Sequence, residues 1–309
     1  MARNKKTTES LVTFMKYLIV LLAQNEQYNT MQHYQATLNS LMRFLGNKNL
    51  LLCDIDAELV QSYEAYLKNV AQVCLNTSSF YMRIFRAVYN KAVEKGYITQ
   101  QRPFSHIYTG IVKTKKRAIP TESVSSIKNI DTSELTKQQE LARDTFLLCF
   151  YLRGISFIDL AHLRKSDIKD GILRYTRSKT KQCLSLRWTS DMQAIVDKYS
   201  DQTASSPYLL PFLVASDDKK QDERQLYRNA GARISYHLKK LGTKLGLEGK
   251  LTLYVARHSW ATTARDKDIP ISIISDALGH TSTTTTQIYL DTIHSSEVDD
   301  ACDKLLAAI

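Results

Sequence analysis

The chain has 309 residues, which exceeds the size of most single domains and predicts two domains. Its content of 43% apolar and 24% charged residues excludes a collagen-like, a largely disordered and a disulfide-scaffolded protein. Lys and Arg number 42 against 31 Asp and Glu, and the net charge of +11 indicates a polyanionic partner, nucleic acid first and an anionic membrane second.

Residues up to about 105 predict a compact helical domain. Apolar side chains recur at helical spacing in four segments joined by short connections, which is typical of a helical bundle. These predicted helices cover residues 11–23, 30–45, 56–70 and 78–95. Gly46 and Gly96 end the second and the fourth helix. The fourth helix carries Arg83 and Arg86 outside its apolar stripe, where they either face solvent or contact DNA.

A break follows the helical domain. Pro103 and Gly110 flank a stretch without periodicity, and a basic run then ends at Pro120. The run contains Lys113, Lys115, Lys116 and Arg117. We predict a helical domain over residues 1–106, a basic linker over 107–120 and a second domain over 121–309. The linker is either a solvated connector or part of a clamp around a DNA duplex.

The second domain is predicted to be helical with one β interruption. Residues 172–188 predict a β-hairpin or small sheet, because the second strand alternates apolar and polar side chains after a polar turn at 178–182. Helical patterns resume at residues 191–199, 225–245, 255–265, 271–278 and 284–290, and a last amphipathic segment covers 298–306. The expected fold is mainly α with a small β-sheet in the second domain.

The cysteine pattern indicates a reducing compartment. The five cysteines form no CxxC pair, and Cys149 lies in an apolar run where a buried thiol is expected. We therefore expect no disulfide framework and no metal site. The apolar run 17–23 resembles a signal peptide only superficially, because Lys16 precedes it and its apolar residues recur at helical spacing. No run reaches the ~18 apolar residues that span a bilayer, and we expect a cytoplasmic bacterial protein associated with the nucleoid.

Several residues with suitable chemistry stand at the ends and turns of the predicted elements of the second domain. They are Arg153 after the apolar helix 146–152, Lys179 in the hairpin turn with Arg177 and Lys181 beside it, Arg257 and His258 at the start of a helix, His280 at the end of another, and Tyr289 nine residues later. Each residue alone has an ordinary explanation, as a solvated charge, a helix cap or a core tyrosine.

Together these pieces resemble the motifs of the tyrosine recombinase (phage integrase) family. Residues 151–163, YLRGISFIDLAHL, resemble the first arginine motif, R-x-x-E/D, with Arg153 as the arginine and an acid spaced wider than usual. Residues 175–180, YTRSKT, resemble the lysine turn with Lys179. Residues 251–262 resemble the second box, H-x-x-R-H, with Arg257, and residues 278–290 match L-G-H followed by T-x-x-Y, with His280 and Tyr289. The resemblance is strong over about residues 120–309.

The resemblance implies a helical core-binding domain followed by a mixed α/β catalytic domain of the DNA breaking-rejoining type. It implies a site-specific recombinase (integration, excision or inversion) that joins DNA to Tyr289 through a 3′-phosphotyrosyl bond, without cofactor or metal. Arg153 and Arg257 would clamp the phosphate oxygens, His280 would donate a hydrogen bond, and Lys179 would protonate the leaving 5′ oxygen.

The chain departs from the family pattern at the second box. Tyr254 stands where the family has histidine, and a phenol with an ordinary pKa of ~10 is a poor base at neutral pH. We expect Asp159 to orient the residues of the second box and His258 to play a structural part. Arg177 and Lys181 join the basic residues above as candidate DNA contacts.

The expected partners are double-stranded DNA recombination sites and other copies of the chain. We expect a homotetramer on DNA, assembled by exchange of the tail 298–306, with an accessory DNA-bending protein as a further candidate partner and no membrane. The chain begins almost directly with the helical domain, which favours a two-domain integrase or invertase of a bacterial mobile element. Two alternatives stay open. One is DNA relaxation of the type IB topoisomerase kind, and the other is an inactive DNA-binding regulator, which the replacement of the family's histidine by Tyr254 supports.

Overall fold

The structure, a computed structural model, describes residues 9–46, 48–112, 118–214 and 222–290, apart from the side chains of residues 288 and 289. The chain divides into two compact units, Met1–Thr114 and Lys115–Ile309. The boundary between them lies inside the segment 107–120 that the sequence predicts as a linker. The limits of the two domains stay a prediction.

The first unit is helical. Its α-helices are α1 (Leu11–Gln24), α2 (Tyr28–Leu45), α3 (Ala57–Asn69) and α4 (Leu75–Glu94), and the four predicted helices are confirmed. Asp56 caps α3 by accepting a hydrogen bond from the backbone N–H of Leu59 at 2.8 Å, and Gly46 ends α2 with a φ of +61°. Helix α4 begins at Leu75, three residues earlier than predicted, and the polar Ser78 and Ser79 are buried in its first turns.

An aromatic core holds these helices together. The fully buried Tyr63 packs edge-to-face on Phe85 with 6.0 Å between the ring centroids. Its hydroxyl donates a hydrogen bond to the Ser40 Oγ at 2.8 Å, and burial raises the pKa of the Tyr63 phenol. The phenol is therefore neutral and has its partner inside the core.

The second unit combines helices with a small sheet. Its helices are α5 (Thr121–Asn129), α6 (Lys137–Tyr151), α7 (Phe157–Ala161), α8 (Ser190–Asp197), α9 (Glu223–Lys244), α10 (Leu253–Asp266), α11 (Ile271–Ala277) and α12 (Thr283–Leu290), and its strands are β1 (Ile168–Lys169), β2 (Ile172–Thr176) and β3 (Cys183–Arg187). The strands are antiparallel in the order β1-β2-β3, with Tyr175 opposite Leu184. The predicted fold class and hairpin are confirmed.

Helix α6 forms the centre of this unit and packs mainly against α9 and α10. Thr136 and Gln139 start it with a capping box, in which each side chain bonds to the backbone N–H of the other residue. Cys149 is fully buried, as predicted, and burial raises the pKa of its thiol to about 12. The helix ends at Tyr151, so the loop that begins at Arg153 leaves directly from the core of the unit.

The sequence does not predict α5, α7 or β1. Helix α7 and strand β1 have 5 and 2 residues, too few for an apolar period to stand out, and α5 buries only Val124 and Ile127. Helix α10 begins at Leu253, so Arg257 and His258 lie in its second turn and do not open the helix as expected. The predicted tail segment 298–306 lies outside the described residues.

Candidate active site

Arg257 lies at the centre of the site. Its side chain is 6% exposed and is held by three acceptors. The Nη1 atom donates to the carbonyl oxygen of Gly154 at 2.6 Å, while Nη2 contacts the carbonyl oxygen of Leu278 at 2.7 Å and His280 Nε2 at 2.9 Å. These acceptors come from the loop after α6 and from the turn after α11. The guanidinium therefore joins two of the segments that the sequence motifs pointed to.

Gly154 makes this approach of α10 possible. Its φ is +73°, and a Cβ atom at this position would lie 2.7 Å from Arg257 Cγ and 2.9 Å from Arg257 Cα. Backbone cannot move aside as a flexible side chain can, so any larger residue would displace the helix that carries Arg257. The preceding residue, Arg153, also has a positive φ, of +57°, and its side chain is half-buried.

His280 lies in the turn between α11 and α12 and is 8% exposed. Its Nδ1 is 2.8 Å from the hydroxyl of Thr286, a fully buried residue of α12. Burial lowers the pKa of His280 to about 4, and the positive charges of Arg257, Arg177 and Lys179 lower it in the same direction. The imidazole is therefore neutral at pH 7.

The hairpin turn between β2 and β3 is anchored at both sides of Lys179. On one side the backbone N–H of Ser178 donates to Asp159 Oδ1 at 2.9 Å. On the other side the hydroxyl of Thr180 donates to the carbonyl oxygen of Gly279 at 3.5 Å. Lys179 itself is exposed, and its charge reaches His280. The turn thus holds an exposed ammonium beside the buried imidazole.

The hydrogen bonds of Asp159 differ from the expectation that it orients the second box. Its carboxylate accepts from the Ser156 hydroxyl at 2.6 Å and from the Ser178 backbone at 2.9 Å. Asp159 therefore positions the lysine turn. The physical reason is its location at the start of α7, where Ser156 is the N-cap and the hairpin turn lies within reach.

Arg177 lies closer to the centre of the site than the sequence indicates. The sequence predicts it as a DNA contact, and the structure leaves it 8% exposed, with Nη1 donating to the carbonyl oxygen of Gly279. The wide spacing of the first arginine motif was a signal for this difference. In the form R-x-x-D, the residue three positions before Asp159 is Ser156 and not Arg153. The chain therefore offers two candidates, Arg153 and Arg177, for the first guanidinium.

Tyr175 of β2 is a second residue that the sequence motifs did not single out. Burial raises the pKa of its phenol, as does the charge of Asp159, while the charges of Arg257, Arg177 and Arg153 act in the opposite direction. Four charged side chains, Asp159, Arg257, Arg177 and Arg153, are thus close enough to act on this half-buried phenol. The guanidinium groups of Arg153, Arg177 and Arg257 therefore lie close to the same strand, β2.

Tyr254 and His258 lie one turn apart on α10. Tyr254 is 51% exposed, whereas His258 is 7% exposed. Their rings meet edge-to-face with 4.4 Å between the centroids. Tyr254 therefore presents part of its ring to solvent on the helix that carries Arg257, and His258 lies in the interior, as expected for a structural residue.

Tyr289 lies in α12, three residues after Thr286. Helix α12 packs against α10 and α11, and so the nucleophile candidate belongs to the same packed group of helices as Arg257. The position of its side chain lies outside the described residues.

The candidate DNA contacts outside this centre are placed differently from one another. Arg86 is exposed on α4 and donates to the Thr109 hydroxyl at 3.3 Å, Arg83 is half-buried, and Lys181 is exposed on the hairpin turn with a φ of +58°. The basic run at 113 and 115–117 lies outside the described residues.

Metal ions and membranes are two further possible partners of the chain. Within the part of the chain that the structure describes, no group of three His, Cys, Asp or Glu side chains is arranged to hold a metal ion. Among the same residues, no helix is long and apolar enough to cross a membrane.

Comparisons with known proteins match both halves of the chain. Residues 10–107 match the model of the phage integrase SAM-like domain, and residues 118–295 match that of the phage integrase family. The tyrosine recombinase XerC of Leptospira interrogans is 21% identical over 289 residues, which is 93% of this chain and 90% of the relative.

Solved structures of lambda integrase share the fold. A dimer bound to a COC′ core site has a TM-score of 0.66 and 16% identity, and the match covers 93% of this chain and 79% of that one. A tetramer bound to a Holliday junction has a TM-score of 0.65 and 16% identity, over 91% of this chain and 80% of that one.

Proposed function

The chain belongs to the phage integrase family and is a tyrosine-type site-specific DNA recombinase, and we propose that it breaks and rejoins DNA through a phosphotyrosyl bond to Tyr289. The observation that carries this proposal is the convergence of Arg257, His280 and the Lys179 turn on one small region, at the turn that leads into the helix of Tyr289.

The reaction needs no water and no external energy source. The phenolic oxygen of Tyr289 gives its proton to a phosphate oxygen and attacks the phosphorus, the bond to the 5′ oxygen breaks, and the new phosphotyrosyl ester keeps the bond energy. The 5′ hydroxyl of another strand then attacks the same phosphorus and releases Tyr289. Lys179 donates a proton to the leaving 5′ oxygen in the first step and takes one back in the second.

Negative charge grows on the non-bridging oxygens in the transition state. Forked guanidinium groups stabilise it best, because each donates two parallel hydrogen bonds from a fixed geometry. Arg257 supplies one fork. For the other we favour Arg177 over Arg153, because Arg177 is buried beside Gly279 and its charge acts on His280. Tyr254 contributes a hydroxyl at the exposed edge of the site.

We propose that the chain acts on DNA in the cytoplasm as an oligomer. The solved lambda integrase dimer and tetramer are bound to DNA, which supports paired sites and several copies of the chain. Exchange of the tail 298–306 between copies and help from an accessory DNA-bending protein remain part of the proposal. The direction of the reaction, whether integration, excision or inversion, depends on the sites.

Covalent capture tests the proposal. Cells that express the chain are lysed in detergent, and DNA that stays bound under denaturing conditions is sequenced beside the Tyr289→Phe variant. Adducts at discrete repeated sites, absent from the variant, are the expected result. Scattered adducts would indicate a topoisomerase instead, and a protein that binds DNA when native but forms no adduct would indicate an inactive regulator.

A further inference from the structure

Both nitrogens of the His280 imidazole lie within hydrogen-bonding distance of a neighbouring side chain. Nε2 lies 2.9 Å from Nη2 of Arg257, and Nδ1 lies 2.8 Å from Oγ1 of Thr286. A guanidinium can only donate hydrogen bonds, so Nε2 must accept. Because the ring is neutral at pH 7, its one proton is on Nδ1, and the Thr286 hydroxyl accepts it.

This tautomer does not suit the part that His280 plays in the proposed reaction. A phosphate oxygen accepts hydrogen bonds, and so does an Nε2 atom without a proton. His280 can donate to the phosphate through Nε2 only after the proton has moved from Nδ1. The Nδ1 atom then becomes an acceptor and needs a donor in the place where Thr286 now accepts.

The Thr286 hydroxyl can meet both needs. A hydroxyl is at once a donor and an acceptor, and rotation about one bond exchanges the two roles. Thr286 is fully buried, and its hydroxyl lies 2.8 Å from Nδ1, so it is placed to take either role there. A valine in this place would fill the same volume but would leave Nδ1 without that partner.

We propose that Thr286 is a positioning residue that lets His280 change tautomer when the DNA phosphate binds, a role that rests on the proposed function. Before binding, Thr286 accepts from Nδ1–H while Arg257 donates to Nε2. On binding, a transient local opening lets Nδ1 release its proton to water and Nε2 take one from water, so the net charge is unchanged. Thr286 then donates to Nδ1, and Nη2 of Arg257 is released from Nε2 to bond a phosphate oxygen.

The same bond couples the imidazole to the helix of the nucleophile. Thr286 belongs to α12, and Tyr289 follows it by three residues. A shift of α12 therefore changes the distance between the Thr286 hydroxyl and His280. The hydrogen bond between Thr286 and His280 therefore forms only while α12, the helix that carries Tyr289, is packed in its present position.

The test combines spectroscopy with kinetics on the full chain. The tautomer of His280 is read from the 15N chemical shifts of its ring nitrogens, assigned by their loss in His280→Gln. Thr286→Val removes the hydroxyl and Thr286→Ser keeps it. The neighbouring Thr285, which is exposed, gives the matched control Thr285→Val.

In the DNA-free protein we expect the Nδ1–H form in the wild type and in Thr286→Ser, and a mixture of tautomers in Thr286→Val. With a duplex carrying a captured site bound to the Tyr289→Phe chain, we expect the Nε2–H form. Adduct formation should fall about tenfold in Thr286→Val, and stay within about threefold of the wild type in Thr286→Ser and Thr285→Val.

Two results would overturn the proposal. One is an Nε2–H ring in the DNA-free wild type, and the other is an unchanged tautomer and adduct rate in Thr286→Val. The DNA-free spectra do not depend on recombination. A chain that forms no adducts but shows the expected spectra would therefore refute the proposed function and leave the hydrogen-bond assignment standing.

Discussion

Individual guanidinium groups differ in how firmly the fold holds them. Arg177 is buried and bonded to a carbonyl oxygen, whereas Arg153 is half-buried on a loop with a left-handed backbone. Lysine keeps the charge of either residue but loses the fork. We therefore expect Arg177→Lys to lower the rate of adduct formation about a hundredfold, and Arg153→Lys to lower it less than about tenfold.

The rates are measured in a single turnover with a duplex that carries a captured site. Thermal unfolding of both variants shows whether the fold has survived, which separates lost chemistry from lost structure. A larger effect at Arg153 than at Arg177 would return the first guanidinium to Arg153, as the motif comparison first indicated.

Gly154 tests how closely α10 must approach the loop after α6. Both Gly154 and Gly171 have positive φ, of +73° and +70°, but a Cβ atom at Gly171 would meet nothing within 4 Å. Gly171→Ala should therefore cost about 1–2 kcal/mol of unfolding free energy through backbone strain alone. Gly154→Ala should cost about 1–3 kcal/mol more, because its methyl group overlaps Arg257. Urea unfolding measures both, and equal losses would contradict the close contact.

The buried His280 should make the protein sensitive to mild acid. Its pKa in the folded chain is about 4, below the ordinary value of 6.5, so between these pH values the unfolded chain binds a proton that the folded chain does not. Unfolding free energy should therefore fall as the pH drops from 6.5 to 4, on the order of 3 kcal/mol from this residue. Urea unfolding of His280→Gln at a series of pH values should show a fall that is smaller by this amount. Parallel curves would contradict the prediction.

The sequence predicts the identity of the site better than its geometry. The resemblance to the family's motifs points to Lys179, Arg257 and His280, because each motif lies within one short stretch of sequence. It cannot place Arg177, whose acceptor at Gly279 lies 102 residues further along the chain. Nor can it predict that Asp159 holds the lysine turn, because that bond joins two separate loops.

Among the elements, α6 depends on a buried charge. Asp144 is fully buried and accepts from Arg143 Nη2 at 2.6 Å, from the Tyr199 hydroxyl at 2.9 Å and from Lys198 at 3.1 Å. The Arg143 side chain is only 7% exposed, so removal of the carboxylate leaves a cation buried without its counter-charge. We expect Asp144→Ala to lower the unfolding free energy by about 3–5 kcal/mol.

A surface pair of the same unit gives the control. Lys128 and Asp191 are 3.1 Å apart, but their side chains are 51% and 58% exposed. Asp191→Ala should cost less than about 1 kcal/mol, because solvent screens the pair. Urea unfolding compares the two variants, and similar losses would show that the ion group on α6 contributes little.

Elements with a visible apolar period could be predicted from the sequence, including the short helices α8, α11 and α12, whereas α5, α7 and β1 could not. Helices α1 to α4 and α9 contain enough turns for an apolar stripe to be visible, and the strand β3 alternates clearly. Helix α7 and strand β1 have no such signal, since neighbouring parts of the fold hold them. The motif around Arg257 suggests a helix that opens at that residue. Leu253 and Val255 already belong to the first turn of α10.

At the scale of the whole molecule, the net charge of +11 should dominate the binding of non-cognate DNA. Each phosphate contact releases condensed counterions, so the affinity falls with salt on a log–log plot with a slope of about 0.9 per contact. This slope counts contacts without requiring any knowledge of the target sequence. It therefore tests the role of the basic run at 113–117 independently of recombination.

We expect replacement of Lys113, Lys115, Lys116 and Arg117 by glutamine to reduce that slope by about 3 to 4 and to weaken binding similarly for all sequences. The measurement is fluorescence anisotropy with a random duplex at several salt concentrations. Lys16→Gln, at an exposed position on α1 outside the candidate contacts, is the control and should change the slope by less than one. If the fourfold variant kept the wild-type slope, these side chains would be solvated and the linker would be a simple connector. A reduced slope would instead place the duplex against the linker, because counterions are released only where a cation meets a phosphate.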